Sequence, residues 1–112
     1  MKQPVPLMQG TLDLLILSSL ADGEPRHGFA VLRWLARTTD GALEIEEAAL
    51  YPALHRMERK GWLESEWGVS ENNRKAKYYS LTRAGRKRLT QEGAGWRRYV
   101  ETVSKVMGMT EI

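Results

Sequence analysis

The sequence predicts a mainly α, α+β domain that ends in a long C-terminal helix. Three observations support this fold class. Hydrophobic residues recur at three- and four-residue steps in four segments, which is typical of amphipathic helices. Two short runs of alternating residues lie between the third and fourth segments and predict one antiparallel hairpin. The length of 112 residues allows one domain with a modest core and an appended helix.

The composition excludes several classes of protein. The chain has no Cys and two His, so a disulfide framework, thiol catalysis and a Cys/His zinc site are excluded, and we expect no metal and no cofactor. The longest strongly apolar stretch, residues 12–20, is too short to span a bilayer, and no secretory signal is recognisable. We therefore expect a soluble, cytoplasmic protein with no membrane partner.

Positive charge is concentrated in one part of the chain. The net charge is +3, but residues 74–88 carry seven basic side chains and no acidic one. Residues 40–47, in contrast, carry four acids and no base. The basic segment favours a polyanionic partner, and charge alone leaves a merely solvated surface as an equal alternative.

The N-terminal half predicts an arm and three helices. Residues 1–8 contain two Pro and predict an N-terminal arm. The first helix is apolar on two sides, which suggests that a partner subunit covers one of them. A second helix is predicted at residues 28–39, where His27 is expected to cap or pack at the start. A short extended piece at residues 43–45 precedes a third helix at residues 47–60.

The third helix has an apolar stripe and a polar opposite face. Because proline is tolerated only near the first turn of a helix, Pro52 suggests that the helix starts one or two residues after residue 47. The face opposite the stripe carries Ala48, Tyr51, Pro52, His55, Arg56 and Arg59.

A hairpin and a long helix complete the chain. The strands are predicted at residues 62–67 and 77–81, with Trp67 packed beside the hairpin. Thr82 is expected to cap the last helix, in which Gly93 and Gly95 favour a bend or break. The last helix carries an approximate heptad seam, which predicts a homodimer. The seam consists of Leu89, Trp96, Val100, Val103 and Met107.

This order of elements predicts a winged helix-turn-helix at residues 9–83, followed by a long C-terminal dimerisation helix at residues 84–112. In that fold the third helix lies in the major groove, and the hairpin tip, the wing, reaches phosphates or the minor groove of double-stranded DNA. The candidate DNA-binding residues are the outward residues of the third helix together with Asn72, Asn73, Arg74, Lys75, Lys77 and Tyr78 of the wing. The candidate dimer interface consists of the seam together with Leu12, Leu14 and Leu17 of the first helix.

Four segments of the chain, in the right order, resemble the PadR family of bacterial transcriptional regulators. Leu-Tyr-Pro-Ala-Leu-His-Arg-Met-Glu at residues 50–58, followed by Gly61-Trp62, resembles the recognition helix of that family. The segments at residues 9–17, 25–29 and 77–85 resemble its first helix, the His-Gly-aromatic start of its second helix, and its second wing strand with the junction to the last helix.

The resemblance implies a dimeric repressor that acts on a palindromic operator of neighbouring genes, with the C-terminal helix forming most of the dimer contact. Some members of the family bind a planar aromatic effector between the subunits, against tryptophan. By that analogy Trp96 and Trp34 are candidate effector-binding residues.

Two other classes of function were compared with this one. Catalysis needs paired carboxylates, a positioned His, a phosphate-binding Gly loop or a metal cluster, and none of these patterns is present, so we expect no enzyme. The second alternative is a winged-helix module that binds protein instead of DNA. The salt dependence of DNA binding distinguishes the DNA-binding regulator from the protein-binding module, because only phosphate contacts make affinity fall steeply with salt.

Overall fold

The fold consists of four helices and one two-stranded sheet. The computed structural model describes residues 10–109, so the predicted arm at residues 1–8 lies outside the described part. The elements in chain order are α1 (Leu12–Ser19), α2 (Gly28–Thr38), α3 (Glu47–Arg59), β1 (Leu63–Val69), β2 (Lys75–Leu81) and α4 (Arg83–Val106). This order confirms the mainly α winged-helix class.

The core lies between α1, α2, α3 and the base of the hairpin. The stripe of α3 that the sequence predicts is buried, and its members are Leu50, Ala53, Leu54 and Met57. Leu63 of β1 and Tyr79 of β2 close the core from the sheet side. Leu17 corrects the predicted dimer interface, because its side chain is fully buried in the core of its own chain and has no surface for a second subunit.

The wing is the antiparallel pair β1–β2, in register from Leu63 opposite Leu81 to Val69 opposite Lys75. The strands extend further towards the tip than predicted, which leaves a short loop at residues 70–74. Asn73 adopts a positive φ of 58° in this loop, a conformation that Asn tolerates better than most residues. Residues 43–45 form no strand in the structure.

The later start suggested for α3 is wrong, and α4 continues through two glycines. α3 begins at Glu47, so Pro52 lies well inside it. Pro52 has no N–H for the carbonyl of Ala48, and burial of the stripe on both sides of it supplies the stability that holds the helix. α4 is one continuous helix through Gly93 and Gly95, although glycine in a helix interior favours a bend or break.

Two predicted helix caps are confirmed. His27 Nδ1 accepts a hydrogen bond from the backbone N–H of Ala30 at 3.2 Å, at the start of α2. Thr82 Oγ1 accepts one from the N–H of Gly85 at 3.0 Å, at the start of α4. Each cap satisfies a backbone donor that has no partner within the helix.

Candidate nucleic-acid interface

α3 and the wing face each other across one cleft of about 560 Å³. The first turn of α2 forms its third side. Predicted DNA-binding residues from both elements line this cleft, namely Tyr51, His55, Asn72, Arg74, Lys75 and Lys77. Residues that are up to 26 positions apart in the chain thus share one surface, with α3 on one side and a cationic hairpin on the other.

Other predicted residues surround the cleft without lining it. Ala48, Pro52 and Arg59 are exposed on the outward face of α3. Asn73 is exposed at the wing tip, where its positive φ shapes the turn. This exposed surface is continuous along α3, as a helix in a major groove requires.

Tyr78 lies on the other face of β2 from its neighbours Lys77 and Tyr79. Its hydroxyl donates to the carbonyl of Val69 at 3.0 Å, and its ring meets the His27 ring edge-on with centroids 5.2 Å apart. The hydrogen bond joins the two strands of the wing and the ring contact ties the wing to the start of α2, so Tyr78 has a structural role in this conformation.

The Tyr51 ring lies directly against Gly28 at the start of α2. A Cβ atom at Gly28 would lie 2.6 Å from Tyr51 Cε1, so this approach depends on glycine. Burial raises the pKa of the Tyr51 hydroxyl, and the Glu47 carboxylate raises it further. The hydroxyl therefore stays protonated at neutral pH and can both donate and accept a hydrogen bond in the cleft.

Trp67 is a cleft residue that the sequence analysis assigned wrongly. It was expected to pack, but 61% of it is exposed. Strand alternation places it on the same face of β1 as the buried Leu63, beyond the edge of the core, where that face looks into the cleft. Lys75 Nζ lies 4.9 Å from the centre of its ring. Phe29, half exposed on α2, is a second cleft residue that the analysis missed.

An ion pair connects the wing tip to α2. Arg33 donates to Glu71 Oε1 at 2.9 Å, and the Arg33 guanidinium also lies 5.0 Å from the centre of the Phe29 ring. Glu71 is the only acid in residues 70–74, so this pair offsets the one negative charge beside Arg74. Both partners are well exposed, and such a pair contributes only about 0–1 kcal/mol.

Two cations that the sequence analysis assigned to DNA are paired with carboxylates. Arg56 of α3 donates to Asp13 of α1. Lys77 of β2 lies 3.1 Å from Glu58 of α3, whose other oxygen accepts a hydrogen bond from Ser65 at 2.6 Å. The Ser65 hydroxyl and the Lys77 ammonium lower the pKa of Glu58, and Glu58 raises the pKa of Lys77. By contrast, Arg59 and Arg74 have no carboxylate partner within residues 10–109.

A second surface is formed by the C-terminal half of α4. Trp96 and Tyr99 are exposed there with ring centres 6.1 Å apart, and Val106 and Met107 are exposed further along. Two clefts of about 380 and 540 Å³ flank Trp96, and Leu14 of α1 lines both. A run of exposed large apolar side chains of this kind marks an interaction surface.

The comparisons with known proteins agree with this geometry. The sequence profile of the PadR-like family of transcriptional regulators matches residues 16–91. The chain belongs to the PadR-like family. It is therefore a DNA-binding regulator of transcription and not an enzyme.

Solved structures of transcriptional regulators share the fold along most of the chain. A PadR-family transcriptional regulator from Eggerthella lenta is 36% identical, with a TM-score of 0.75 over 88% of this chain and 83% of its own. A transcriptional regulator from Clostridium thermocellum is 30% identical, with a TM-score of 0.73 over 89% and 92% of the two chains. A PadR-like transcriptional regulator from Bacillus cereus is 25% identical, with a TM-score of 0.74 over 88% and 93%.

The predicted interface residues of this PadR-like protein differ in how much surface they offer. Trp96 and Met107 are exposed. Leu12, Leu14, Leu89, Val100 and Val103 are half-buried. Tyr99 was missed, because it lies just beside the heptad seam.

Trp34 and Trp96 do not meet in the PadR-like chain. Trp34 packs against the core, with the Arg26 guanidinium 5.8 Å from the centre of its ring. It is not among the residues that line the two clefts beside Trp96. Leu14 and Tyr99 accompany Trp96 there instead.

No metal site or membrane span is found in the described part of the chain. Within residues 10–109, no group of three or more His, Asp or Glu side chains is placed to hold a metal ion. No helix among these residues is long and apolar enough to cross a bilayer.

Proposed function

We propose that this PadR-like protein is a dimeric repressor that binds a palindromic operator near its own gene, in the cytoplasm of a bacterial cell. The observation that carries the proposal is the cleft at which the exposed face of α3 and the cationic wing converge. On this proposal Tyr51 and His55 approach base edges in the major groove, while Arg74 and Lys75 contact phosphates.

The exposed apolar face of α4 supports the dimer. Trp96, Tyr99 and Met107 would be covered by the same face of a second chain in a symmetric interface. The two α3 helices would then enter successive major grooves about 34–36 Å apart, which is the spacing of a palindromic operator.

The clefts beside Trp96 support regulation by a small aromatic effector. The larger has about 540 Å³, within the range of about 300–1,000 Å³ that is usual for small-molecule sites. The Trp96 indole offers a flat wall on which a planar ring stacks. An effector that prefers a dimer geometry with a different separation of the α3 helices would lower operator affinity and release repression.

Binding of the purified protein to a fragment of its own promoter tests the DNA contacts. We expect affinity to fall steeply between 50 and 200 mM salt, because several phosphate contacts release counterions. R74A and K75A should weaken binding to promoter and scrambled DNA alike, whereas Y51A and H55A should reduce the ratio of the two affinities. K87A is the matched control, because it removes one exposed positive charge from α4 outside the cleft.

Binding that is independent of salt, or equal for R74A and wild type, would contradict the DNA arrangement and favour a protein-binding module.

Sedimentation tests the dimer separately. We expect two chains per particle at micromolar concentration, and single chains for M107D. Quenching of tryptophan fluorescence by planar aromatic compounds, absent in W96A, tests the effector site.

A further inference from the structure

α3 is held on its two flanks by ion pairs with different parts of the fold. Arg56 pairs with Asp13 of α1, and Glu58 pairs with Lys77 of the wing. At 3.6 residues per turn, Arg56 and Glu58 point about 160° apart around the helix axis. One pair therefore restrains rotation of α3 towards the helical body and the other restrains rotation towards the hairpin.

Neither pair lies on the middle of the surface that faces the proposed DNA. His55 and Arg59 point outward between the two flanks and are exposed. The side chains of Asp13 and Arg56 are 24% and 41% exposed, so water screens their attraction only in part. Ser65 also donates to Glu58, which fixes that carboxylate independently of Lys77.

We propose that Arg56 and Lys77 act in operator recognition as positioning residues that fix the orientation of α3, and do not themselves bind phosphate. This inference rests on the proposed function. Moving Arg56 to a phosphate would leave the half-buried Asp13 carboxylate unpaired close to the negative charge of DNA. Arg56 would lose its charge-assisted hydrogen bond to Asp13 and gain one to phosphate, while the unpaired Asp13 would be repelled by DNA. The ion pair is therefore retained when DNA binds.

Base recognition depends on this orientation. Hydrogen bonds to base edges weaken steeply when the donor angle or distance changes, whereas the attraction between cations and phosphates depends little on small shifts. A loosened α3 should therefore lose discrimination between operator and other DNA while retaining non-specific affinity. Loss of a phosphate contact would instead weaken binding to all DNA sequences about equally, so the two roles can be distinguished.

The first experiment measures the salt dependence of promoter binding for R56Q and K77Q, with R74Q as the comparison. A residue that contacts phosphate reduces the slope of log affinity against log salt by about one when its charge is removed. We expect R74Q to reduce the slope by about one and R56Q and K77Q to leave it unchanged. A reduction of about one for R56Q and K77Q would overturn the inference.

The second experiment measures the ratio of promoter affinity to scrambled-DNA affinity. We expect D13N and R56Q each to lower this ratio about threefold, as for a pair contributing about 0.7 kcal/mol. The double variant should be no worse than either single variant, because both remove the same pair. D13E, which keeps a carboxylate, should recover most of the ratio. E64Q is the control, since it removes one exposed negative charge that is in no ion pair within residues 10–109.

The two experiments separate this inference from the proposed function. Wild-type protein that shows no preference for its promoter contradicts the proposed function itself. Wild-type preference combined with an unchanged ratio in D13N contradicts only the positioning role. Because D13N keeps Arg56 intact, it remains informative if R56Q fails to fold, which thermal unfolding of each variant reveals.

Discussion

Gly85 is the position where a single methyl group should damage the fold most. It lies in the first turn of α4, where the helix crosses the backbone before β1. A Cβ atom at this position would lie 2.0 Å from the carbonyl oxygen of Trp62, a backbone atom that no rotamer change can move. In G85A, α4 or the chain at Trp62 must therefore shift by about 1.4 Å to reach ordinary contact.

The shift acts on the hydrogen bonds that join α4 to the wing. Thr82 N donates to the Trp62 carbonyl at 3.0 Å, and Thr82 Oγ1 donates to the Gly61 carbonyl at 2.6 Å. Each contributes about 0.5–1.5 kcal/mol to stability, and overpacking alone costs about 1–3 kcal/mol. The higher helix propensity of Ala offsets up to about 1 kcal/mol. We expect a net loss of about 2–3 kcal/mol, which lowers Tm by about 8–12 °C in a domain of this size.

Thermal unfolding followed by circular dichroism at 222 nm measures this effect. All variants are measured at one fixed protein concentration, because unfolding of the proposed dimer would depend on concentration. A84G is the matched control. Ala84 is exposed in the same turn, so A84G should cost about 1 kcal/mol through propensity alone. If propensity governed both positions, G85A would raise Tm. A G85A protein as stable as wild type would refute the close approach of α4 to Trp62.

Three further predictions concern the core, the cleft and the response to acid. L54A removes a fully buried side chain from the stripe of α3 and should lower the free energy of unfolding by about 2–5 kcal/mol, measured by urea denaturation. G28A should push the Tyr51 ring out of its place with little change in Tm, since only the end of a side chain must move, and should reduce promoter discrimination as far as Y51A does. If G28A and Y51A differ in DNA binding, Tyr51 does not act from its observed position. Hydrogen bonds from the Arg26 side chain hold the pKa of Asp22 well below its usual range, so this carboxylate stabilises the fold above about pH 4 and the contribution is lost as the pH falls further. D22N should therefore lose less stability than wild type between pH 4 and pH 2, measured as the free energy of unfolding at each pH. Parallel curves of unfolding free energy against pH for the two proteins would show that the Asp22–Arg26 pair contributes nothing.

Local patterns in the sequence were sufficient to predict the fold. The helices and strands follow from periodicity, and the caps at His27 and Thr82 follow from residue type. The convergence of Tyr51 and His55 with Arg74 follows from the order of the elements, because a wing always folds back beside the third helix.

The features that the sequence did not predict depend on how the helices and strands pack together. Trp67 lies on the inner face of β1 but beyond the core, and alternation alone does not show where the core ends. The periodicity of α1 does not reveal which of its two apolar sides the chain itself covers, so Leu17 was assigned to the interface. The Asp13–Arg56 pair joins residues 43 positions apart, and no local pattern indicates such a contact.

α1 would connect the proposed effector site to the proposed recognition helix. This helix is only eight residues long, about 12 Å, yet Asp13 anchors α3 while the adjacent Leu14 and Leu15 line the space beside Trp96. A ligand in the cleft beside Trp96 that displaced α1 would also move the Asp13 carboxylate, which pairs with Arg56. The proposed effector site and the proposed recognition helix α3 would then be coupled through one short rigid helix. Such coupling would require neither a flexible linker nor local unfolding.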